Sequence, residues 1–398
     1  MREKEMLLGE TNKKKAKYKI HFIRAMSGDS FLIELGRGHC ILIDCGYKST
    51  YETELKPLLK KLHREGCRID ILVITHMDED HIGGAISLIE ENGDKNNPHI
   101  IAIDNIWFNG IFNLCRINSF LSSHLVEKLS EIEHDKTEYL MSRFLRLIGT
   151  GEGFVSAKQA ETFEILCKEK NYDINLDAQN GLIMAGDRTQ IGKWEIKVLS
   201  PGEKEVDCFA KWIDRCLISS FGKNYKLDKQ YFVDFIEKMI IATTKDEEGS
   251  YGSECISAGK VDIETWIGTS SLVPMNEANR MSIVLEITCD NISMLFTGDS
   301  ESEDWIDRAM TQYDVVKLSH HGSTKPNIAL LEKIDTDKVL ISTNGKKNHP
   351  ENDLLARIIK KDIKDIYFNY EIRQKQQILD CQEDYCFTAH FEEMEIEG

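Results

Sequence analysis

The feature that most constrains this chain is the motif THMDEDHIGG at residues 75–84, which follows the continuous apolar run IDILVIT. That run has the length and β-branched content of a buried strand, so the motif begins where a strand ends. We expect a turn here, loosened by Gly83 and Gly84. Four side chains that can bind a metal ion fall within six residues: His76, Asp78, Asp80 and His81. Burying them unpaired would be costly, so they predict a metal site rather than an acidic surface loop.

Two later strand ends supply further donors. The segment FTGDS places Asp299 just past an apolar strand, and KLSHHGS places His320 and His321 past the next one. Each signal is weak by itself, because an aspartate there can cap a helix and a histidine can lie on the surface. Together they provide the partners that the first cluster lacks.

The alternation of short strands and helices predicts a mixed α/β fold in which helices cover both faces of a sheet. Short apolar runs with Gly-containing turns predict a strand-rich start, and regular alternation resumes at residue 281. Helical periodicity predicts two insertions, at 113–180 and 202–275, within a single domain over 1–398. The charged ends, 1–17 and 392–398, are expected to be solvated tails.

Composition narrows the classes of function. The chain has 398 residues and a net charge of −17, which argues against a protein coated in positive charge for nonspecific DNA binding. A local basic groove remains compatible with that charge. We find no apolar run of the ~18 residues that span a membrane and no signal-peptide stretch. Eleven scattered cysteines without a Cys-x-x-Cys pair predict free thiols in a reducing cytosol. We therefore expect a cytoplasmic protein with no membrane partner.

In this order, HxDxDH followed by GG, then TGD, then HHGS, the motifs resemble the metallo-β-lactamase fold. The branch that looks most similar is the metal-dependent hydrolase domain of the competence protein ComEC. LIDCG, with Asp44, resembles an early strand of that family that carries a buried aspartate. The resemblance covers about residues 18–110, 181–201 and 276–370, and it implies a four-layer αβ/βα sandwich of two sheets with helices outside.

The resemblance also implies a cofactor of two divalent metal ions, zinc or manganese. Seven positions would be metal ligands: His76, Asp78, Asp80, His81, Asp299, His320 and Asn279. His76 and Asp78 would hold one ion and Asp80 and His81 the other, with Asp299 as the bridge.

Two points of this ligand set stay open. We prefer His320 to His321 as a ligand of the second ion because it comes first after the strand, which leaves His321 facing the substrate; the opposite assignment is also open. Most relatives have histidine where Asp78 stands, and many have one where this chain offers Asn279. An oxygen-rich site favours Mn²⁺ or Mg²⁺ more than an imidazole cage would, while zinc remains open.

Two such ions can activate a water as hydroxide near neutral pH, so no protein nucleophile is needed. The candidate catalytic residues are Asp80, His321 and His349. Both histidines could stabilise developing charge or protonate the leaving oxygen, while His349, in STNGKKNHP, could also be only a loop histidine next to Pro350.

Phosphodiesters are the preferred substrate class, because the ComEC resemblance implies a nuclease acting on nucleic acid. Six basic residues near His349 could bind a polyanion or merely form a solvated helix face: Lys346, Lys347, Arg357, Lys360, Lys361 and Lys364. ComEC-like hydrolases without a membrane part also resemble components of bacterial defence operons.

Three alternatives compete with a nuclease. One is a hydrolase of a small ester, lactone, thioester or cyclic nucleotide, and another is an iron-dependent redox enzyme. The third is a metal-stabilised regulatory subunit whose helical insertions bind a protein partner or a second copy of the chain.

Overall fold

A computed structural model describes residues 17–110, 163–176, 178, 181–221 and 262–398. In the helix that ends at Phe221, side chains are described up to Trp212. The helices predicted within 113–162 and 222–261 lie outside the described residues, so the two insertions stay predictions.

Fourteen strands of the described part form two sheets. The first sheet has the order β14-β1-β2-β3-β4-β5 and contains β1 (Lys19–Phe22), β2 (Phe31–Gly36), β3 (His39–Ile43), β4 (Arg68–Ile74), β5 (Ile103–Phe108) and β14 (Glu395–Glu397). The second has the order β13-β12-β11-β10-β9-β8-β7-β6 and contains β6 (Arg188–Ile191), β7 (Trp194–Ser200), β8 (Val284–Cys289), β9 (Ile292–Phe296), β10 (Gln312–Lys317), β11 (Asp335–Ile341), β12 (Asp365–Phe368) and β13 (Thr388–Phe391).

Helices lie between these strands along the chain. The described α-helices are α1 (Lys48–Thr50), α2 (Lys56–Arg64), α3 (Glu79–Asn92), α4 (Glu203–Phe221), α5 (Ile328–Lys333), α6 (Asn352–Lys360) and α7 (Lys375–Tyr385). A π-helical turn, Tyr51–Leu55, joins α1 to α2, and residues 163–169 are also helical.

Three apolar cores show that the layers are stacked as helix, sheet, sheet, helix. Consecutive strand residues point to opposite faces, so Ile41 packs between the two sheets while Leu42 packs toward the helices outside the first sheet. In the second sheet Val315 faces the first sheet and Val316 faces outward toward α5 and α6. The predicted four-layer αβ/βα sandwich is therefore confirmed.

The strand directions bring the polar motifs to one edge. β3 and β4 are parallel, as are β9, β10 and β11, so the carboxyl ends of each group lie together. Hydrogen bonds join the two sheets at this edge: Ile283 N donates to Thr75 O at 3.0 Å and Ser342 Oγ to Gly28 O at 2.8 Å. Clefts at the carboxyl ends of strands are the usual place for a site in α/β folds.

Several local predictions were wrong. The apolar run GLIMAG at 181–186 predicts a strand, but the structure has turns and irregular backbone there. The pattern over 301–310 predicts a helix, but the structure has two 3₁₀ turns, Ser302–Asp304 and Ile306–Arg308. Residues 392–398 are not a solvated tail, since Glu395–Glu397 pairs with β1 and buries Ile396. A strand this short and charged is typical of a protected sheet edge, which composition alone cannot distinguish from a tail.

Gly83 and Gly84 also have a different role from the one expected. Both lie inside α3, where a Cβ on Gly84 would overlap the backbone of Cys45 and one on Gly83 would crowd Tyr47 and Lys48. The glycines therefore let α3 approach the loop after β3 closely rather than loosening a turn. Cys45 itself is a buried core thiol.

Candidate metal centre

The first half of the site is built on one strand–turn–helix unit. β4 ends at Ile74, His76 and Asp78 lie in the turn, and α3 begins at Glu79 with Asp78 at its N-cap position in an extended conformation. Asp80 and His81 follow in the first helical turn, where negative charge is favoured by the helix dipole. Because only a few backbone dihedral angles separate these four donors, the local backbone conformation fixes their positions relative to one another.

The donors of both sheets converge on one carboxylate oxygen, Oδ2 of Asp299. It lies 3.9 Å from Nε2 of His76, 3.4 Å from Nε2 of His81 and 3.3 Å from Nε2 of His321. The carboxylates of the first motif are similarly close. Asp78 Oδ2 is 3.5 Å from His76 Nε2, and Asp80 is 3.9 Å from His81 Nε2 and 3.8 Å from His321 Nε2.

These donors fit divalent metal ions. Two ligands bound to one ion at about 2.0–2.2 Å lie roughly 3.3–3.6 Å apart, close to the separations found here. Nε2 of His76 and Nε2 of His81 are buried and have no hydrogen-bond partner. Buried polar atoms without partners are rare and need an explanation, which a metal ion provides. The donor groups His76–His81–Asp299 and Asp80–His81–His321 could each hold an ion, but His81 belongs to both and Asp78 to neither, so they do not reproduce the expected division of ligands between two ions.

A buried aspartate orients the first motif. Asp44, at the end of β3, accepts hydrogen bonds from Thr75 N and Thr75 Oγ1, both at 2.8 Å. Its Oδ2 also lies 2.8 Å from Nδ1 of His81, so Nε2 of that ring points into the site. Thr75 Oγ1 is 3.0 Å from Nδ1 of His76. Such contacts set the tautomer and direction of a ligating histidine. The buried Asp44 expected from LIDCG is confirmed.

Among the described residues, the donor groups that could hold an ion include His321 and not His320, which favours His321 over the expected His320 as a ligand. Nε2 of His321 faces Asp299 and Asp80, while its Nδ1 lies 3.1 Å from the carbonyl oxygen of Ser342. The ring of His320 packs against His349, with ring centroids 5.1 Å apart. His320 and His321 both have a left-handed backbone, with φ of 48° and 53°, which few residues other than glycine adopt. Sequence order after the strand could not reveal this turn.

Two further predicted residues lie beside these donors. The His349 ring is 6.4 Å from the His321 ring, so the loop after β11 reaches the site. Asn279 is buried in a 3₁₀ turn, and its Oδ1 has no hydrogen-bond partner. Three residues later, Ser282 Oγ accepts a hydrogen bond from Asp299 N at 3.2 Å. Asn279 thus lies on the segment that supports the bridging aspartate, and no contact joins it to the other donors.

Sequence reasoning missed Asp29 and Lys317. Lys317 is the last residue of β10 and is 1% exposed, and its ammonium pairs with Asp29. Asp29 Oδ1 lies 3.4 Å from His321 Nδ1, so this pair adjoins the site. A lysine inside an apolar strand was the available signal, since such a side chain is rarely buried without a specific partner.

Electrostatics separate the histidines into two groups. Burial alone would lower the pKa of His321, but the carboxylates of Asp299 and Asp29 raise it to about 10. For His81 burial is likewise outweighed by Asp299 and Asp44, and the pKa is well above its usual value. Burial lowers the pKa of His320 to about 4 and that of His349 well below its usual range. His320 and His349 are therefore neutral near pH 7.

The predicted basic cluster of six residues near His349 divides into two groups. Four of its members form ion pairs with acids outside the site: Arg357 with Asp353, Lys360 with Glu264, Lys361 with Asp335 and Lys364 with Asp337. These four are the solvated helix and loop charges of the alternative interpretation. Lys346 and Lys347 are exposed in the loop that carries His349, and the charge of Lys347 lowers the pKa of that histidine further.

Comparisons with known proteins identify a family signature in the N-terminal part of the chain. Residues 23–107 match the model of the Metallo-beta-lactamase superfamily. Hydroxyacylglutathione hydrolase from Serratia proteamaculans (strain 568) is 30% identical over 82 residues, covering 18% of this chain and 30% of that protein. The match thus spans less than a third of the length of that curated relative.

Solved structures extend the comparison to most of the chain at low identity. The metallo-beta-lactamase fold protein YhfI from Bacillus subtilis is 9% identical with a TM-score of 0.38, covering 96% of this chain and 100% of that one. Zn²⁺-bound PqqB from Methylobacterium extorquens is 10% identical with a TM-score of 0.38, covering 96% and 99%. None of the described helices is long and apolar enough to cross a bilayer. Residues 23–107 thus carry the signature of the Metallo-beta-lactamase superfamily, and the two-sheet architecture around them is consistent with a metallo-beta-lactamase fold.

Proposed function

We propose that this protein is a metal-dependent hydrolase whose centre lies between the two sheets. The observation that carries the proposal is the convergence of three histidine Nε2 atoms on Oδ2 of Asp299, two of them buried without a hydrogen-bond partner. Bound divalent ions would activate water and polarise the scissile bond. His76, Asp78, Asp80, His81, Asp299 and His321 would hold those ions.

The neighbouring residues have separate roles in this proposal. Asp44 holds the ring of His81 in the tautomer that leaves Nε2 deprotonated toward the site. His349 is neutral, so it can donate a ring N–H to charge that develops on the substrate but is a poor source of a proton at pH 7. This narrows the two roles that the sequence left open for His349.

We propose a phosphodiester substrate, with nucleic acid as the first candidate. Three carboxylates among six donors make the centre rich in oxygen, which suits Mn²⁺ or Mg²⁺ as well as zinc. Lys346 and Lys347 provide positive charge on the loop that carries His349. The resemblance of the motifs to ComEC supports the same class, and a role in bacterial defence remains a prediction that follows from it.

A second candidate is hydrolysis of a small thioester or ester. Its support is the match to hydroxyacylglutathione hydrolase over the segment that contains the first ligand motif. The net charge of −17 also favours a small substrate over a long polyanion. We further propose a cytoplasmic location and contact with a protein partner or a second copy through the insertions.

The test combines metal analysis with a substrate panel. The purified chain is assayed with Mn²⁺ or Zn²⁺ on single-stranded DNA, duplex DNA, RNA, bis-nitrophenyl phosphate and a glutathione thioester. Near two metal ions per chain with cleavage of a nucleic acid supports the nuclease, whereas turnover of the thioester alone supports the second candidate. Bound metal without turnover favours a regulatory subunit, and a folded protein without metal contradicts the proposal. Asp80→Ala is the matched inactive control.

A further inference from the structure

The buried ammonium of Lys317 has more polar contacts than a purely structural ion pair requires. It pairs with Asp29, donates to Gly298 O at 2.8 Å and lies 3.6 Å from Oδ1 of Asp299. Removing an ammonium from water is costly, and one acidic partner such as Asp29 would be enough to offset that cost in a purely structural ion pair. Here the ammonium instead lies against the carboxylate that joins the two halves of the candidate metal centre.

The two oxygens of Asp299 have different neighbours. Oδ2 faces the Nε2 atoms of His76, His81 and His321 at 3.3–3.9 Å. Oδ1 is buried without a hydrogen bond, and Lys317 Nζ is its cationic neighbour at 3.6 Å. One oxygen is thus directed to the metal donors and the other to a fixed positive charge.

The backbone around this contact is closely packed. Gly298, whose carbonyl oxygen accepts from Lys317, has φ 52°, and a Cβ there would lie 3.0–3.1 Å from the side chains of Ser282 and Thr75. Ser282 Oγ in turn accepts from Asp299 N. The ammonium and the carboxylate are therefore both held by contacts to the same tight turn.

We propose that Lys317, anchored by Asp29, is a positioning residue that keeps Oδ1 of Asp299 out of the metal coordination sphere. The carboxylate then binds metal through Oδ2 alone, and the coordination number stays low enough to leave a place for substrate or water. This inference rests on the metal-binding part of the proposed function and is independent of which substrate is hydrolysed. A purely structural ion pair would affect folding stability and nothing else.

The decisive variant is Lys317→Met with Asp29→Asn. It removes one positive and one negative charge, so the net charge around the donors is unchanged. Methionine also keeps most of the volume of the lysine stem. Lys317→Met alone leaves Asp29 as a buried carboxylate without its partner, which is expected to destabilise the fold, so the balanced double variant carries the test.

The readout is the Co²⁺-loaded protein. When Oδ1 of Asp299 becomes free to bind, the coordination number rises and the visible d–d absorption of Co²⁺ weakens. We also expect Co²⁺ affinity, measured by competition with a chelator, to fall about 10–100-fold, as is typical when a group that orients a ligand is removed. Hydrolytic activity should fall with it.

The matched control is Lys197→Met with Glu286→Gln, a partly buried pair at 3.1 Å that does not contact the metal donors. It should lower the melting temperature while leaving the Co²⁺ spectrum and affinity unchanged. A folded Lys317/Asp29 double variant with the wild-type spectrum and affinity would overturn the positioning role and leave the metal centre intact. If the wild-type chain itself binds no Co²⁺, the metal part of the proposed function fails and this inference fails with it.

Discussion

The two halves of the candidate metal centre are built in different ways. The first takes its four donors from one short segment after β4, and side chains of the same sheet, Asp44 and Thr75, orient two of its histidines. The second takes Asp299 and His321 from two separate loops. Its histidine has a left-handed backbone, and its aspartate lies beside a buried lysine.

This difference shows where each half gets its precision. The first half is preorganised by local geometry, because a strand end and a helix start fix the spacing of the donors. The second half depends on the packing of β9 against β10 and on backbone strain, which persists only where the surrounding structure supports it. We therefore expect changes in the second half to affect both metal binding and folding, and changes in the first half to affect mainly metal binding.

The largest expected effect comes from the residue that joins the halves. Asp299→Asn should lower hydrolysis by about 10³-fold or more and reduce the metal content, because every histidine donor faces its Oδ2. Metal analysis and turnover of bis-nitrophenyl phosphate measure this. Asp307→Asn, at an exposed ion pair with Lys333, is the control and should behave as wild type. Full activity of Asp299→Asn would remove the bridging role.

A smaller effect tests the local order of the first half. Asp44→Asn should weaken metal affinity about 10–100-fold with little loss of fold, because the ring of His81 loses its orienting carboxylate. The matched control is Asp70→Asn, which alters a His39–Asp70 contact of the same 2.8 Å length elsewhere in the same sheet. Chelator competition should separate the two variants, and equal affinities would show that Asp44 is only structural.

The rim of the second half can be tested with charge reversal. Lys346→Glu with Lys347→Glu should reduce polynucleotide cleavage about tenfold at low salt and spare a small chromogenic diester. Lys360→Glu with Lys364→Glu is the control, since both lysines already pair with acids. An equal loss on the polymer and on the small diester would instead indicate misfolding or a direct catalytic role of the loop.

The smallest effect is a dependence of stability on pH. In the metal-free protein the raised pKa of His321, about 10, contributes stability that is complete below its unfolded pKa of about 6.5 and is lost as pH rises toward 10. The melting temperature in chelator should fall by on the order of a few degrees over that range. With saturating metal, the melting temperature should instead fall as pH decreases at the acidic end of this range, because protons compete with the ion for the histidines. Thermal unfolding with and without metal measures both trends. Parallel curves of melting temperature against pH would contradict the binding of metal and protons to the same histidines.

Much of the architecture follows from patterns that are local in the chain. The strand before His76 and the strands before Asp299 and the histidine pair were all predicted near their observed positions. The two 3₁₀ turns after Asp299 were read as a helix, since their apolar spacing is compatible with either. The last strands, from Asp365 onward, were not predicted, because runs of three or four residues carry little periodicity.

The sequence by itself determined the residue types and spacing of the first ligand motif, the strand ends that carry the other donors, and the mixed α/β class. These depend on hydrophobic periodicity and on the chemistry of a few side chains, which are legible in one dimension. Only the tertiary structure decided that His321 rather than His320 faces the donors, that four of the six basic residues are neutralised by acids, and that Lys317 lies against the bridging aspartate. Each of these depends on a left-handed backbone or on residues distant in the chain, and neither leaves a periodic signal in the sequence.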